Sequence, residues 1–320
     1  MRTSPWPTVS AGEAAYARAA FDRVWISRAI GLLTVAIGIV SSAAVAIGSA
    51  GYIRQFVAAP EALVILILLV VIGAVASYGI LESVVAASVL TLIEVGGLLV
   101  IIGSALISGL QLAAPVVPPL QTVVLSGIGF ASLLAFFAFI GFEDLANIAE
   151  EAKSPERDLP RAMALTLLLS TGLYVAVAIV AVNAVPPAEL AASKAPLSLV
   201  FQRVAHVTPA TISLIAIIAT LNTILAQLTM VSRVIYGMAR QGDLPRGFAK
   251  VHAKTRTPLV ATWFAVAVSM LLAVSAPIEW LAEGTSIATL VVFAAVNVSL
   301  IALRRKGAPA AGIGFRAPTW

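Results

Sequence analysis

Eight long apolar segments run through this sequence and constrain what it can fold into. A helix needs about 20 mostly apolar residues to cross the hydrocarbon core of a bilayer. Segments of that kind cover residues 29–53, 62–81, 83–108, 123–149, 162–185, 209–232, 257–278 and 284–303. With 60% hydrophobic and only 11% charged residues, the composition also excludes an ordinary soluble domain. The sequence therefore predicts an all-α polytopic membrane protein with about eight transmembrane helices in a single transmembrane domain, residues 1–320.

Lysine and arginine residues are concentrated in alternate loops between these segments. Seventeen of the 20 lie on one side of the predicted membrane, and three, Arg54, Lys194 and Arg203, lie on the other. Because loops rich in basic residues stay in the cytoplasm, we predict a multi-pass protein of the cell inner (plasma) membrane with both termini cytoplasmic. Residues 1–28 then form a cytoplasmic N-terminal segment, and residues 304–320 form a cytoplasmic C-terminal tail. This distribution accounts for the net charge of +5 without a nucleic-acid partner.

Residue types for covalent chemistry or metal binding are scarce. The chain has no cysteine, and its two histidines, His206 and His252, are too few and too far apart for an ordinary zinc site. A Gly-rich phosphate loop ending in GK[ST] is absent from the sequence. We therefore expect no catalytic residues, no metal and no cofactor, and we expect that the protein is not an enzyme.

The stretch 188–206, between the fifth and sixth spans, allows two interpretations. Its apolar residues, among them Leu190, Leu197 and Val200, are consistent with a short amphipathic helix on the outer surface. An ordinary loop is the alternative.

The segment from Phe136 to Pro160 carries the strongest functional signal. Its apolar part runs into Gly141, and Glu143 and Asp144 follow while the chain is still largely apolar. Carboxylates inside a membrane are costly and usually face a polar path, and a glycine beside them lets a spanning helix break and expose backbone groups to a ligand. This pattern is typical of a transporter site, with Glu143 as a candidate coupling residue. The alternatives are a flexible glycine in a packed helix and, for Glu143, a cap on the second half-helix.

Glu94 lies near the middle of the third span and is the only charged residue in it. A lone carboxylate there costs about 2.5–3.5 kcal/mol on insertion scales. A partner, water or protonation through a raised pKa must offset that cost. We interpret Glu94 as a candidate coupling residue, and a structural hydrogen bond between helices is the alternative.

The sixth span carries polar residues in its middle and basic residues at its end. Thr223 and Gln227 are four residues apart and share a helix face, next to Asn222. We predict that Asn222 and Thr223 contribute to coupling and that Gln227 contributes to substrate binding, with hydrogen bonding between helices as the alternative. Further along, we predict inner-gate ion pairing by three residues, Arg233, Arg240 and Asp243.

Two stretches resemble one known family. GFEDLANIAEEAKSPERDLPRAM (141–163) is similar to the middle helix and following loop of amino acid permeases of the amino acid–polyamine–organocation superfamily. LNTILAQLTMVSRVIYGMARQGDLPRGFAKVHAKTRTP (221–258) is similar to the eighth helix of that family and the loop after it. In this register the eight spans resemble helices three to ten of a five-plus-five inverted-repeat transporter fold. SAGEAAYARAAF (10–21) resembles the loop after helix two, so we expect the chain to lack the first two helices and the C-terminal helices.

The resemblance also implies a site and an activity. The substrate site is expected at the break in helix six, which corresponds to Phe137, Ala138, Phe139, Ile140 and Gly141. The expected activity is secondary active transport of amino acids or related amines by alternating access, coupled to protons or sodium ions or working by exchange. The alternatives are a non-transporting fragment of such a permease and a polytopic membrane enzyme. The expected partners are the substrate and the lipid bilayer, and a homo-oligomer is left open.

Overall fold

Helices account for the regular structure of the residues that the computed structural model describes, which are 12–21, 23–79, 84–110, 125–142, 154–206 and 208–305. The α-helices are α1 (Gly12–Phe21), α2 (Val24–Ile53), α3 (Glu61–Ser77), α4 (Val84–Ile107), α5 (Leu125–Phe137), α6 (Pro155–Ala184), α7 (Pro187–Ala192), α8 (Pro196–Ala205), α9 (Ala210–Arg240), α10 (Leu259–Ser275) and α11 (Ile278–Arg305). A 3₁₀-helix, Arg246–Ala249, lies between α9 and α10. Within the described residues, five helices, α2, α4, α6, α9 and α11, are long and apolar enough to span a membrane, and α3, α5 and α10 are shorter apolar helices. The prediction of an all-α polytopic membrane protein is confirmed.

Some helices extend beyond the predicted spans. Helix α9 continues eight residues past 232 to Arg240, and α6 begins at Pro155 rather than at 162. The reason is that hydropathy marks where a helix leaves the hydrocarbon, whereas a helix ends only where its backbone hydrogen bonding ends. Arginines do not interrupt that hydrogen bonding, Pro155 is tolerated in the first turn, and Pro160 lies inside α6, where it removes one backbone donor without ending the helix.

The stretch 188–206 is helical, as one of its two interpretations predicted, but it is divided in two. Helix α7 ends at Ala192 and α8 begins at Pro196, where a proline starts a new helix because its missing N–H needs no partner in the first turn. Val200 is fully buried, and α8 packs against α4, α6 and α9. The apolar face of α8 therefore packs against the helix bundle.

Helices α2 and α9 form the centre of the bundle, with the most extensive helix contact among the described residues. Small residues on α2 allow the close approach. A Cβ added at Gly38 would lie 2.2 Å from Val231 Cγ2, and one added at Gly31 would lie 2.8 Å from Met238 Sδ. Without a hydrophobic driving force between helices in lipid, such small residues let the two backbones pack tightly. Helices α3 and α10 pack on this pair and complete a four-helix core.

The remaining apolar helices pack one against the next in a ring that begins and ends at the central pair, α2 and α9. Helix α9 packs on α4, α4 on α6, α5 on α11, and α11 on α2. The junction between α5 and α6 is made just past the end of α5, where Tyr174 of α6 contacts Ala138 and Phe139. Six helices, α2, α9, α4, α6, α5 and α11, are therefore linked into a ring.

Contacts between loops group the helix ends into two sets. At one end of the bundle, which we call the basic end, Arg28 of α2 pairs with Asp243 beyond α9. At the opposite end, Ser213 in the first turn of α9 hydrogen-bonds Gln55, which follows α2. These two groups of helix ends are the same two groups that the distribution of lysine and arginine assigns to opposite sides of the predicted membrane.

Candidate functional site

Helix α5 ends within the segment for which the sequence predicts a break. Beyond Phe137, the amides of Ala138, Phe139 and Ile140 bond the carbonyl oxygens three residues before them, at 2.9–3.2 Å, instead of continuing the α-helical pattern. Gly141 follows with φ of +115°, a backbone conformation that residues with a side chain rarely adopt. This positive φ explains why a glycine occupies the end of the turn. Glu143, the predicted coupling residue next to it, lies outside the described residues.

Aromatic side chains hold the non-helical turn against two neighbouring helices. Phe139 packs edge-to-face on Tyr174 of α6 with ring centroids 5.2 Å apart, and Phe142 packs in the same way on Phe293 of α11 at 5.7 Å. The Tyr174 hydroxyl donates a hydrogen bond of 2.9 Å to the carbonyl oxygen of Ala138. A carbonyl that the break releases from the helix is therefore bound by α6. Sequence analysis missed Tyr174, and its signal was a hydroxyl-bearing aromatic residue in the middle of an apolar span.

Glu94 connects three helices near this turn. Asn222 of α9 donates through Nδ2 to Glu94 Oε1 of α4 at 3.5 Å. Tyr174 of α6 lies within electrostatic range of Glu94. Two hydrogen bonds, from Asn222 to Glu94 and from Tyr174 to the Ala138 carbonyl, therefore lie within electrostatic range of each other. The structure brings together Glu94, Asn222 and the break, which the sequence predicted as separate site elements.

A cavity of about 180 Å³ lies beside Glu94 between α4, α8 and α9. Its other lining residues are apolar: Gly97, Leu98, Ile101, Leu197, Ile212, Ile215, Ala216 and Ala219. A cavity of this size has room for several water molecules. Among the described residues that line the cavity, Glu94 is the one carboxylate, so water or protons that enter the cavity reach that group.

Two buried side-chain oxygen atoms of α9 lack a hydrogen-bond donor among the described residues. They are Asn222 Oδ1, on the residue that bonds Glu94, and Gln227 Oε1. Gln227 is only 8% exposed, and a Cβ added at Gly38 of α2 would lie 3.4 Å from its Oε1. A buried polar atom without a partner costs about 1–3 kcal/mol. A ligand, a transferred proton or a water molecule can supply the missing donor to such an atom.

Thr223 lies apart from these two oxygens despite its sequence position. It is exposed, and its hydroxyl donates to Ala219 O one turn earlier in α9. Gln227, four residues further on, is buried against α2. The two side chains therefore have different surroundings, although the sequence places them on one helix face.

The predicted inner-gate residues separate into a paired acid and two exposed cations. Asp243, whose side chain is 3% exposed, pairs with Arg28 at 2.7 Å and with Arg18 at 3.5 Å. Arg233 and Arg240 are exposed and form no ion pair with any described residue. Asp243 thus lies in an ion-pair network at the basic end, but its partners are residues that the sequence analysis did not select.

Comparisons with known proteins match this architecture to one family. A family model described as amino acid permease matches residues 3–313. The branched-chain amino acid permease BcaP of Bacillus subtilis (strain 168) is 38% identical over 189 residues, which are 59% of this chain and 41% of that protein. The methylthioribose transporter of the same organism is 31% identical over 261 residues, 81% of this chain and 54% of that protein.

A plant relative extends the comparison. The cationic amino acid transporter 2, vacuolar, of Arabidopsis thaliana is 34% identical over 181 residues, 56% of this chain and 28% of that protein. The chain spans about half the length of the curated bacterial relatives that it matches. Because the family model covers nearly the whole sequence, the chain belongs to the amino acid permease family.

Proposed function

We propose that this chain carries the amino acid path of a secondary transporter in the plasma membrane, with both termini in the cytoplasm. The substrate class is an amino acid or a related amine, moved by alternating access. The observation that carries the proposal is the polar connection from Asn222 through Glu94 and Tyr174 to the backbone of the broken helix. It joins a titratable group to the segment that the family resemblance assigns to substrate binding.

Glu94 is the proposed coupling residue, and the proton is the coupling ion that its surroundings favour. In its ionised form Glu94 accepts from Asn222 Nδ2, which leaves Asn222 Oδ1 buried without a donor. A protonated carboxyl group has an O–H that can donate to that oxygen after the amide turns over. Protonation therefore exchanges one hydrogen bond for another and removes a negative charge from the membrane interior.

The charge on Glu94 also reaches the broken helix. Tyr174 lies within electrostatic range of Glu94 and holds the Ala138 carbonyl at 2.9 Å. Neutralising Glu94 changes the field on that hydroxyl, and the hydroxyl positions the turn that ends at Gly141. A substrate bound at the turn and a proton bound at Glu94 would then influence each other, which is the thermodynamic requirement for coupled transport.

Gln227 is the proposed side-chain contact for the substrate. Its Oε1 is a buried acceptor without a donor among the described residues, and an amino acid carries an ammonium group that donates three hydrogen bonds. The names of the relatives include a branched-chain amino acid permease and a methylthioribose transporter. We therefore propose the class and not a single substrate.

The test uses the 320-residue chain reconstituted in liposomes. Uptake of pooled radiolabelled amino acids is measured with an inward proton gradient and with the gradient collapsed. We expect that wild type shows gradient-driven uptake and that Glu94→Gln loses it but keeps counterflow exchange. Glu61→Gln is the matched control because it makes the same change at a carboxylate outside the proposed site. Glu61 lies in the first turn of α3 and pairs with Arg54, at the end of the bundle opposite the basic end.

Two results would count against the proposal. Full gradient-driven uptake by Glu94→Gln would show that Glu94 does not couple transport to the proton gradient. Absence of uptake in both conditions, from wild-type protein shown to be inserted and folded, would favour the alternative of a non-transporting portion of a longer permease. Thermal unfolding of Glu94→Gln separates coupling from a structural role. If Glu94 only forms a structural hydrogen bond, the variant should be less stable and should lose driven uptake and exchange to the same extent.

A further inference from the structure

The loop between α9 and α10 carries exposed cations at the basic end of the bundle. Its lysines and arginines are all exposed, and none forms an ion pair with a described residue: Arg246, Lys250, Lys254 and Arg256. The one acid of the loop, Asp243, is already paired with Arg28 and Arg18. Water solvates exposed cations, so this charge alone does not indicate a ligand, and the conformation of the loop decides.

The last part of the loop is a closed turn, residues 252–257, which we call the basic turn. The backbone N–H of His252 donates to Thr257 O at 2.9 Å and closes it. The Thr257 hydroxyl donates to Ser77 O, at the end of α3, at 2.8 Å. A Cβ added at Gly79 would lie 2.9 Å from a backbone oxygen of the turn, so the turn packs directly on the chain that follows α3.

Arg256 has a backbone conformation that is unusual for its residue type. Its φ is +55°, and its N–H donates to His252 O at 2.9 Å. The other described non-glycine residue with a positive φ, His206, directly follows a helix end, where this conformation is common. Arg256 does not follow a helix, and such strained residues are concentrated at functional sites. Membrane orientation requires basic residues in a loop but does not require them to be held in one conformation.

Aromatic side chains typical of the membrane interface lie beside the basic turn. Tyr78, next to the Ser77 carbonyl that the turn binds, is 72% exposed, and Trp263, the fifth residue of α10, is 40% exposed. A Cβ added at Gly73 of α3 would lie 3.5 Å from Trp263 Cζ3, so this ring also packs on α3. Tyrosine and tryptophan are enriched at the level of the lipid headgroups. The cations of the turn therefore lie near that boundary.

The combination of fixed cations and exposed aromatic rings selects the partner. The phosphate of a lipid accepts hydrogen bonds from lysine and arginine, and its acyl chains cover aromatic rings on the membrane side. A soluble acidic segment would match the charge but would leave those rings uncovered. We propose that Lys254 and Arg256 bind the headgroup phosphate of an anionic phospholipid whose acyl chains pack on Tyr78 and Trp263. The membrane orientation proposed above places this lipid in the cytoplasmic leaflet.

Quenching of tryptophan fluorescence by brominated lipids tests the site and requires no transport activity. Variants of the full chain that keep either Trp263 or Trp25 as the one tryptophan are placed in nanodiscs that contain brominated phosphatidylglycerol or brominated phosphatidylcholine. Both leaflets have the same composition, so the result does not depend on membrane orientation. Trp25 is the matched position, because it is exposed at the same end of the bundle, near the exposed Arg23 but outside the basic turn.

A bound anionic lipid gives a preference that is local to the turn. We expect phosphatidylglycerol to associate near Trp263 more strongly than phosphatidylcholine, by about fivefold or more, because each cation near the membrane surface contributes a factor of about five. We expect a smaller preference near Trp25.

Two double variants separate this site from general attraction to the basic end. Lys254→Gln with Arg256→Gln removes both phosphate ligands and should abolish the preference at Trp263. Arg233→Gln with Arg240→Gln removes the same number of exposed charges from α9, at the same end of the bundle, and should leave the preference as it is in wild type. Thermal unfolding in the same nanodiscs checks that each variant is folded.

Three results would overturn the proposal. Equal quenching of Trp263 by the two lipids would mean that no anionic lipid is bound there and would leave the cations to a soluble anion such as an acidic protein segment. An equal preference at Trp25 and Trp263 would show general attraction of anionic lipid, as would an equal loss in the two double variants. If the variant of the basic turn does not fold, the comparison of Trp263 with Trp25 decides alone.

Discussion

Replacement of Gly38 by alanine tests how closely α2 and α9 are packed. The added Cβ would lie 2.2 Å from Val231 Cγ2, whereas carbon atoms in contact are about 3.5–4.0 Å apart. The overlap is therefore well over 1 Å, and either Val231 must leave its rotamer or the helices must separate. Overpacking costs about 1–3 kcal/mol, and the depth of the overlap favours the upper end. Alanine regains about 1 kcal/mol of helix propensity, so we expect a net loss of about 2 kcal/mol in the free energy of unfolding.

The assay is thermal or denaturant unfolding of the purified protein in detergent, with two control variants. Gly31→Ala introduces a Cβ near Met238 Sδ at 2.8 Å and Cε at 2.9 Å, and the end of a flexible side chain can move aside. We expect its cost to be smaller than that of Gly38→Ala on the same helix. Gly103→Ala on α4 meets no atom within 4 Å and should be neutral or stabilising by about 0.4–1 kcal/mol.

A second substitution identifies the cause of the loss. Val231 Cβ lies 3.7 Å from the position of the added atom, an ordinary contact distance, so Val231→Ala removes the overlap. In the double variant we expect a favourable coupling energy of about 0.5–3 kcal/mol relative to the sum of the single changes. Strictly additive effects, or a Gly38→Ala protein as stable as wild type, would refute the close packing described for α2 and α9.

Two further predictions concern polar contacts. Asp243→Asn leaves Arg28 without its charged partner and should lower the free energy of unfolding by about 1–3 kcal/mol; Arg240→Gln, at an exposed residue, should change little, and equal melting temperatures for both variants would contradict the ion-pair network. Tyr174→Phe keeps the ring but removes the hydrogen bond to Ala138, so we expect a loss of about 0.5–1.5 kcal/mol together with reduced gradient-driven uptake in liposomes. Unchanged stability and uptake would mean that Tyr174 does not hold the turn.

The number of apolar helices could be predicted from sequence because bilayer thickness sets a minimum length for each span. The helix ends could not, since Arg233 marks the predicted end of the sixth span but does not interrupt the helix, which continues to Arg240. The end of α5 was predictable for a different reason. Gly141 has a positive φ, and glycine is the residue that adopts such a conformation without strain.

The partners within the site depend on tertiary packing and could not be predicted. Glu94 and Asn222 are 128 residues apart, and their contact exists only because α4 packs on α9. The sequence predicts ion pairing by Asp243 together with Arg233 and Arg240, but its partner Arg28 lies 215 residues earlier in the chain. Sequence periodicity gives the face of a helix and not the helix that will cover it. For this reason the residue types were predictable and the pairs were not.

Whether a buried polar group has a hydrogen-bond or ion-pair partner separates structural residues from functional ones in this chain. Asp243 is buried and receives two arginines, so its charge is compensated without any ligand, and we assign it to stability at the basic end. Gln227 Oε1 and Asn222 Oδ1 are buried acceptors that the described residues do not supply with donors. A folded protein retains such a cost only where something else offsets it. We propose an ammonium group at Gln227 and a proton at Glu94 as two different sources of positive charge, and Glu94→Gln removes the second without changing the first.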